Sequence, residues 1–239
     1  MPELLIPGKK PTGPVTIDWS SPLARGLVAN WLFNDRSNIV RDLANGPAGN
    51  LDVTGLEWKP NGLFFDNTNN ASGVVGIDSP DPGFWHDAVS EIAVHAIFTL
   101  ELDANGPAIL FDFGGASNGF TIAYRTSPNQ MCFAVASSGT TEIRSTTTFT
   151  PYSKIDLWAI YKNGSMELWI NGVLEATGTR NVFIGANSDD PGIGSVGGEA
   201  VIGGDEWGGD IELLQIYGSV STSVIIELYK NPYAFLIPA

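Results

Sequence analysis

"IDLWAIYKNGSMELWINGVLEATG", residues 155–178, carries the pattern that decides the fold. Three apolar-rich runs are separated by Asn163-Gly164 and Asn171-Gly172. An Asn-Gly pair tolerates the positive φ angles that a two-residue hairpin turn demands. The stretch therefore predicts three antiparallel strands joined by two tight turns. Its surroundings agree. "EIAVHAIFTLEL" (91–102) places Ile92, Val94, Ala96, Phe98, Leu100 and Leu102 on one face, and "AILFDFG" (108–114), "GFTIAYR" (119–125) and "QMCFAVA" (130–136) alternate as well. Upstream, "RGLVANWLFNDRSNIVRDLANG" (25–46) opens as a Trp-bearing strand and drops into an acidic, Asn-rich loop. About a dozen strands separated by turn residues predict an all-β protein, a two-sheet antiparallel β-sandwich of jelly-roll type. One short helix is expected over 222–230, with Ser221 as N-cap and Asn231-Pro232 as its stop.

Composition narrows the function. With 239 residues and 43% hydrophobic content the chain can bury a sizeable core. No apolar run approaches the length that spans a bilayer, and "MPELLIPGKKPTGPV" lacks the basic start and apolar stretch of a secretory signal. Neither a membrane nor a secretion route is expected. Acidic residues outnumber basic ones 26 to 12, for a net charge of -14. Nucleic acid is a poor partner for that balance, because binding its phosphates needs clustered Lys and Arg. Cys132 is the single cysteine, so no disulfide framework exists, and its alternating strand context predicts a buried, inert thiol.

Residues 1–22 differ in kind from residues 23–239, which read as the sandwich. Pro2, Pro7, Pro11, Pro14 and Pro22 leave the leading segment without strand or helix periodicity and favour an extended arm. Leu4, Leu5 and Ile6 need a surface to cover them, and Lys9 and Lys10 form an adjacent basic pair. The expectation is a docking arm, carried by Leu4, Leu5, Ile6, Pro7, Lys9 and Lys10, that touches its own sandwich little and binds a neighbouring subunit.

Candidate chemistry is sparse. A retaining glycosidase needs two carboxylates close together, and sandwich glucanases carry them as E-x-D-x-x-E. The nearest approach is Asp210 and Glu212, which i, i+2 spacing puts on one strand face. A third acid is missing and Gly208-Gly209 precedes them, so the pair reads as solvated rim acids. His86 and His95 are the only histidines, no G-x-S-x-G elbow occurs, and one Cys with two scattered His cannot build a zinc site. No catalytic residue is expected. Seven tryptophans raise the question of sugar stacking. Trp31, Trp158 and Trp169 lie within apolar alternation and read as core. Trp58, Trp85 and Trp207 stand beside Gly, Pro or charged residues and are the candidates for an exposed platform that meets a glycan or a partner. No cofactor is required by these residues. Acid-rich loops at Asp35/Asp42, Asp66, Asp78/Asp81, Asp189/Asp190 and Asp205/Asp210 keep a structural calcium open.

"GLVANWLFND…IVRDLANG" followed by "LFFDNTNNASGVVG" resembles the opening of laminin-G-like, concanavalin A-like domains. "DLWAIYKNGSMELWINGVLEATG" resembles that family's central hairpin, and "IGGDEWGGDIELLQIYGSVSTSVIIELYKNPYAF" its closing strand and short helix. The likeness runs over roughly residues 25–235 and is specific for fold rather than activity. It implies one structural calcium between early and final strands, at Asp66 and Glu212. The leader "GKKPTGPVTIDWSSPLARGLVANWLFN" and the ending "ELYKNPYAFL" resemble laminin-G-like proteins encoded by tailed bacteriophages. That narrower likeness implies a non-enzymatic virion component (a capsid decoration, spike or tail-associated domain) made in the host cytoplasm. Its partners would be other virion proteins and host surface glycans. The alternative is a freestanding carbohydrate-binding protein or a glycoside hydrolase.

Overall fold

Both Asn-Gly pairs turn as the sequence predicts. In the computed structural model, Asn163 (φ 47°) and Gly164 (φ 87°) join Lys154–Lys162 to Ser165–Ile170. Asn171 (φ 50°) and Gly172 (φ 76°) then join that strand to Val173–Thr179. Residues 8–66, 76–78, 82–101, 107–195, 200–202 and 204–239 are described. Leu4, Leu5, Ile6 and Pro7 lie outside them.

The three hairpin strands form one side of the larger sheet. Its order continues through Glu91–Leu100 and Gly209–Tyr217 to Gly62–Phe65 and Glu57–Lys59, and Leu27–Trp31 also pairs with Gly209–Tyr217. The second sheet runs from Thr140–Arg144 through Gln130–Ser137, Asn118–Arg125 and Ala108–Gly114 to Gly192–Ile193. Both are antiparallel along these paths. Short Asp205–Glu206 adds a parallel pairing to Ala108–Gly114. The fold is an antiparallel β-sandwich of jelly-roll type, with one short helix, Thr222–Lys230, near the C-terminus.

Between the sheets, period-two alternation fills the core. Val94, Ala96 and Phe98 from one sheet join Phe111, Phe113, Phe120 and Phe133 from the other. Phe113 and Phe120 stack with centroids 5.1 Å apart, and Phe133 meets Phe120 edge-on at 5.8 Å. Offset and edge-on geometries are the favoured contacts of aromatic quadrupoles. Cys132 is buried with its Sγ 3.2 Å from the Ala123 carbonyl, and burial pushes its thiol up to about 12.

The larger sheet is also buried on its outer face. Ile97, Trp158, Trp169, Leu213 and Tyr217 pack there beneath Ile225 and Leu228 of the helix and the following Tyr233, Phe235 and Leu236. Ser221 caps the helix by position, yet its Oγ pairs with the Ser223 Oγ rather than with a backbone amide.

The leading segment takes part in this cover, which corrects the expected arm. Val15–Ile17 pairs with Leu236–Pro238, Ile17 is buried among the outer-layer residues, and the Asp18 amide donates to the Phe235 carbonyl at 2.8 Å. Pro11 is buried as well. Residues 8–22 thus lie on their own sandwich rather than apart from it. The physical reason is that an apolar outer sheet face needs more cover than one nine-residue helix supplies.

Candidate functional site

Trp58 is the one of the three candidate indoles that faces outward. Trp85 is 3% exposed and stacks on Trp31 with centroids 6.4 Å apart, while Trp207 is fully buried and meets Phe98 edge-on at 5.0 Å. Both belong to the inter-sheet core, which corrects their reading as platform residues. Their loop-like neighbours are polar, but the rings point inward. Trp58 is half-buried, packed against the core on one side, and its Nε1 donates to the Ser37 carbonyl at 3.2 Å. That bond fixes the ring on a rigid hairpin.

The hairpin of Glu57–Lys59 and Gly62–Phe65 turns at Pro60-Asn61. Gly62 is required by close approach, since a Cβ there would lie 2.1 Å from the Ile211 carbonyl oxygen. The facing wall is the loop after Leu27–Trp31, where Phe33 (φ 34°) and Arg36 (φ 49°) take left-handed backbone. Side chains rarely adopt that geometry unless the surroundings impose it. Lys10 closes the end between the walls. Its Nζ donates to the Phe33 carbonyl at 2.7 Å and the Asn61 carbonyl at 2.9 Å, and Asn34 Nδ2 donates to the Pro11 carbonyl at 3.1 Å. A cavity of about 420 Å³ results, lined among others by Lys10, Phe33, Arg36, Trp58 and Lys59. A larger cavity of about 580 Å³ beside Ile160, Glu167 and Ile225 has no aromatic ring in its lining.

Charge is concentrated behind the groove. Burial lowers the Lys10 ammonium to about 8, with Glu212 and Asp210 opposing the fall and Lys154 and Arg36 adding to it. Burial likewise raises the Asp210 carboxyl, against the pull of Lys59 and Lys10. Asp210 and Glu212 are only 8% and 7% exposed, so they are not solvated rim acids. The register of Gly209–Tyr217 shifts between Ile211 and Leu213. Both carboxylates nonetheless act on the same Lys10 ammonium, as their shared face leads one to expect. Glu212 accepts from the Tyr233 hydroxyl and from Lys154 Nζ at 2.7 Å. Burial, followed by contact with that carboxylate, raises the Tyr233 phenol.

The remaining candidates fall elsewhere. Lys9 is exposed, and Asp66 is half-buried just past Gly62–Phe65. Among the described residues no three His, Cys, Asp or Glu side chains form a metal-binding group. His95 is fully buried, stacked on Trp158 at 4.2 Å, with Nδ1 2.8 Å from Gln215 Oε1 and Nε2 3.2 Å from Asp156 Oδ2. Sequence reasoning missed Arg36 and Lys59 as groove residues. Lys59 directly follows Trp58 at a Pro60-Asn61 turn, which was a usable signal, whereas Arg36 reaches the groove only through the tertiary fold.

No family model matches the sequence, and no curated protein matches it. Solved structures do. Trypanosoma rangeli sialidase in complex with sialic acid superimposes with a TM-score of 0.62 at 16% identity, over 88% of this chain and 33% of that chain. The same enzyme with 2,3-difluorosialic acid, as a covalent intermediate, gives 0.64 at 14% identity over 88% and 33%. The CBM40 of Ruminococcus gnavus IT-sialidase, bound to α2,3-sialyllactose, gives 0.52 at 13% identity over 64% of this chain and 88% of that chain. What they share is the jelly-roll β-sandwich. The chain spans about a third of the length of the Trypanosoma sialidases it matches. These neighbours overturn the expectation of a non-enzymatic chain. That expectation rested on a missing glucanase triad and scarce histidines, and this sandwich occurs in chains of sialidases, so neither argues against an enzymatic role. None of the three structures is a phage protein.

Proposed function

We propose that the chain binds glycans, and that the groove at Trp58 is the site. The observation that carries this reading is a half-exposed indole, pinned through Nε1 to Ser37 and set in a cavity walled by polar side chains. A ring held in this way offers an apolar face to a pyranose while neighbouring donors meet its hydroxyls. The fold supports the reading, since its neighbours include a sialidase with sialic acid and a carbohydrate-binding module with sialyllactose. The main expectation of a virion component draws no support from those neighbours, which favour its carbohydrate-binding alternative.

The test is an array of neutral and sialylated oligosaccharides, followed by calorimetry on the best binder. Trp58→Ala should weaken binding about tenfold or more. Trp19→Ala, which removes an exposed ring outside the groove, should leave it unchanged. Binding to no glycan, or equal binding by Trp58→Ala and the parent protein, would overturn the proposal.

A further inference from the structure

Acidic residues outnumber basic ones 26 to 12 in this chain, yet the lining of the Trp58 groove contains three cations, Lys10, Arg36 and Lys59, and no carboxylate. The imbalance is local and runs against the composition. Asp210, buried beneath, acts on Lys10 and Lys59 but not on Arg36. Lys10 Nζ donates to two neutral carbonyls, and Glu212, the carboxylate with the largest influence on it, already accepts from Lys154 and Tyr233. Lys59 Nζ sits 3.0 Å over the Phe64 ring centroid, and its carboxylate partner, Glu101, is 3.5 Å away. Arg36 is exposed, and no carboxylate among the described residues pairs with it.

Hydrogen-bond chemistry points the same way. A neutral sugar presents hydroxyls that both donate and accept, so its sites need acceptors as well as donors. Lys and Arg only donate. Three of them around one indole outnumber the acceptor-bearing side chains Thr12 and Asn34 and suit a ligand with surplus acceptors and negative charge, and the planar fork of Arg36 matches a carboxylate in a two-bond geometry. Resting on the glycan-binding reading of this groove, we propose that it selects acidic saccharides, whose carboxylate lies between Arg36 and Lys59 while the sugar ring stacks on Trp58. A long polyanion is disfavoured, since the net charge of -14 repels it outside the groove.

The experiment compares matched pairs on the full chain: oligogalacturonate against its methyl ester, and 3′-sialyllactose against lactose, with a sulfated disaccharide as a separate arm. The expected result is at least tenfold tighter binding of one carboxylated member than of its neutral partner, weakening by roughly tenfold between low and high salt. Arg36→Gln and Lys59→Gln, each checked for an unchanged melting curve, should each remove most of that preference by weakening the carboxylated member several-fold more than its neutral partner. Tighter binding of the sulfated sugar than of every carboxylated one would overturn the carboxylate assignment. Equal binding within both pairs would overturn the inference and leave the glycan-binding reading standing. Binding to no sugar in any arm would end both.

Discussion

Ile17→Ala tests whether the leading segment belongs to the folded core. Ile17 is 4% exposed and faces Leu236 across the ladder of Val15–Ile17 with Leu236–Pro238. The substitution deletes three carbon groups, each contributing about 0.8 kcal/mol when buried, or about 2.4 kcal/mol in transfer free energy. Space left beneath the ribbon adds a cavity contribution, bringing the total to about 3 kcal/mol. Against a domain stability of about 5–15 kcal/mol that is a large fraction. Thr16 supplies the control, because it is exposed on the same short strand and its truncation to Ala should stay within about 0.5 kcal/mol. The assay is urea denaturation followed by tryptophan fluorescence, read as a fall in midpoint at constant slope. Thermal melting should fall by about 6–12 °C in parallel. If Ile17→Ala and Thr16→Ala unfold at the same midpoint, the ribbon is peripheral and the correction made to the arm is wrong.

Two further outcomes follow from the charged groups. Glu212→Gln removes the carboxylate that accepts from Tyr233 and Lys154, and with Lys154 largely in solvent the loss should be about 1–3 kcal/mol in urea denaturation; a loss under about 0.5 kcal/mol would deny the network a structural role. Lys10 is held near 8 by burial, with Arg36 and Lys154 lowering it and Glu212 and Asp210 raising it. An anionic ligand favours its charged form, so affinity for an acidic saccharide should be full below pH 8 and fall as pH rises through it. Lys10→Arg stays charged and should flatten that profile between pH 7 and 9.5, whereas a flat profile in the parent protein would remove Lys10 from binding.

The parts of the fold that were legible are those where a local pattern has one structural meaning. The Asn-Gly pairs fix two hairpins because few residues tolerate the positive φ at Asn163 and Asn171. Alternation in Glu91–Leu100 sends Val94, Ala96 and Phe98 into the inter-sheet core as expected. What escaped depends on partners distant in sequence. Val15–Ile17 pairs with Leu236–Pro238 across almost the whole chain, and three residues show no readable period. Trp85 and Trp207 look like surface residues by their neighbours, but Trp31 and Phe98 receive their rings. The run "IDLWAIY" misleads in a different way. Its outer positions Trp158 and Ile160 are apolar because a second layer covers them, and a sheet buried on both faces reads as continuous rather than alternating hydrophobicity. For Asp210 and Glu212 the solvated reading fails because cover comes from afar, Tyr233 and Lys154 closing over Glu212.

The second layer and the groove are built by the same segment. Residues Val15–Ile17 are anchored beside the C-terminal strand, and a few residues upstream Lys10 ties the Phe33 loop to the Asn61 turn. The anchoring limits how far Lys10 can move, so the distance between the two groove walls is set partly by packing outside the groove. A ligand that gains from a preformed site gains from this anchoring, because the cost of ordering Lys10 and its carbonyl partners is met on folding rather than on binding. Loosening the ribbon by Ile17→Ala should therefore weaken binding at Trp58 even at temperatures where the sandwich is fully folded. Affinity unchanged in a folded Ile17→Ala protein would mean that Lys10 holds the walls without help from the ribbon, and that cover and groove are independent.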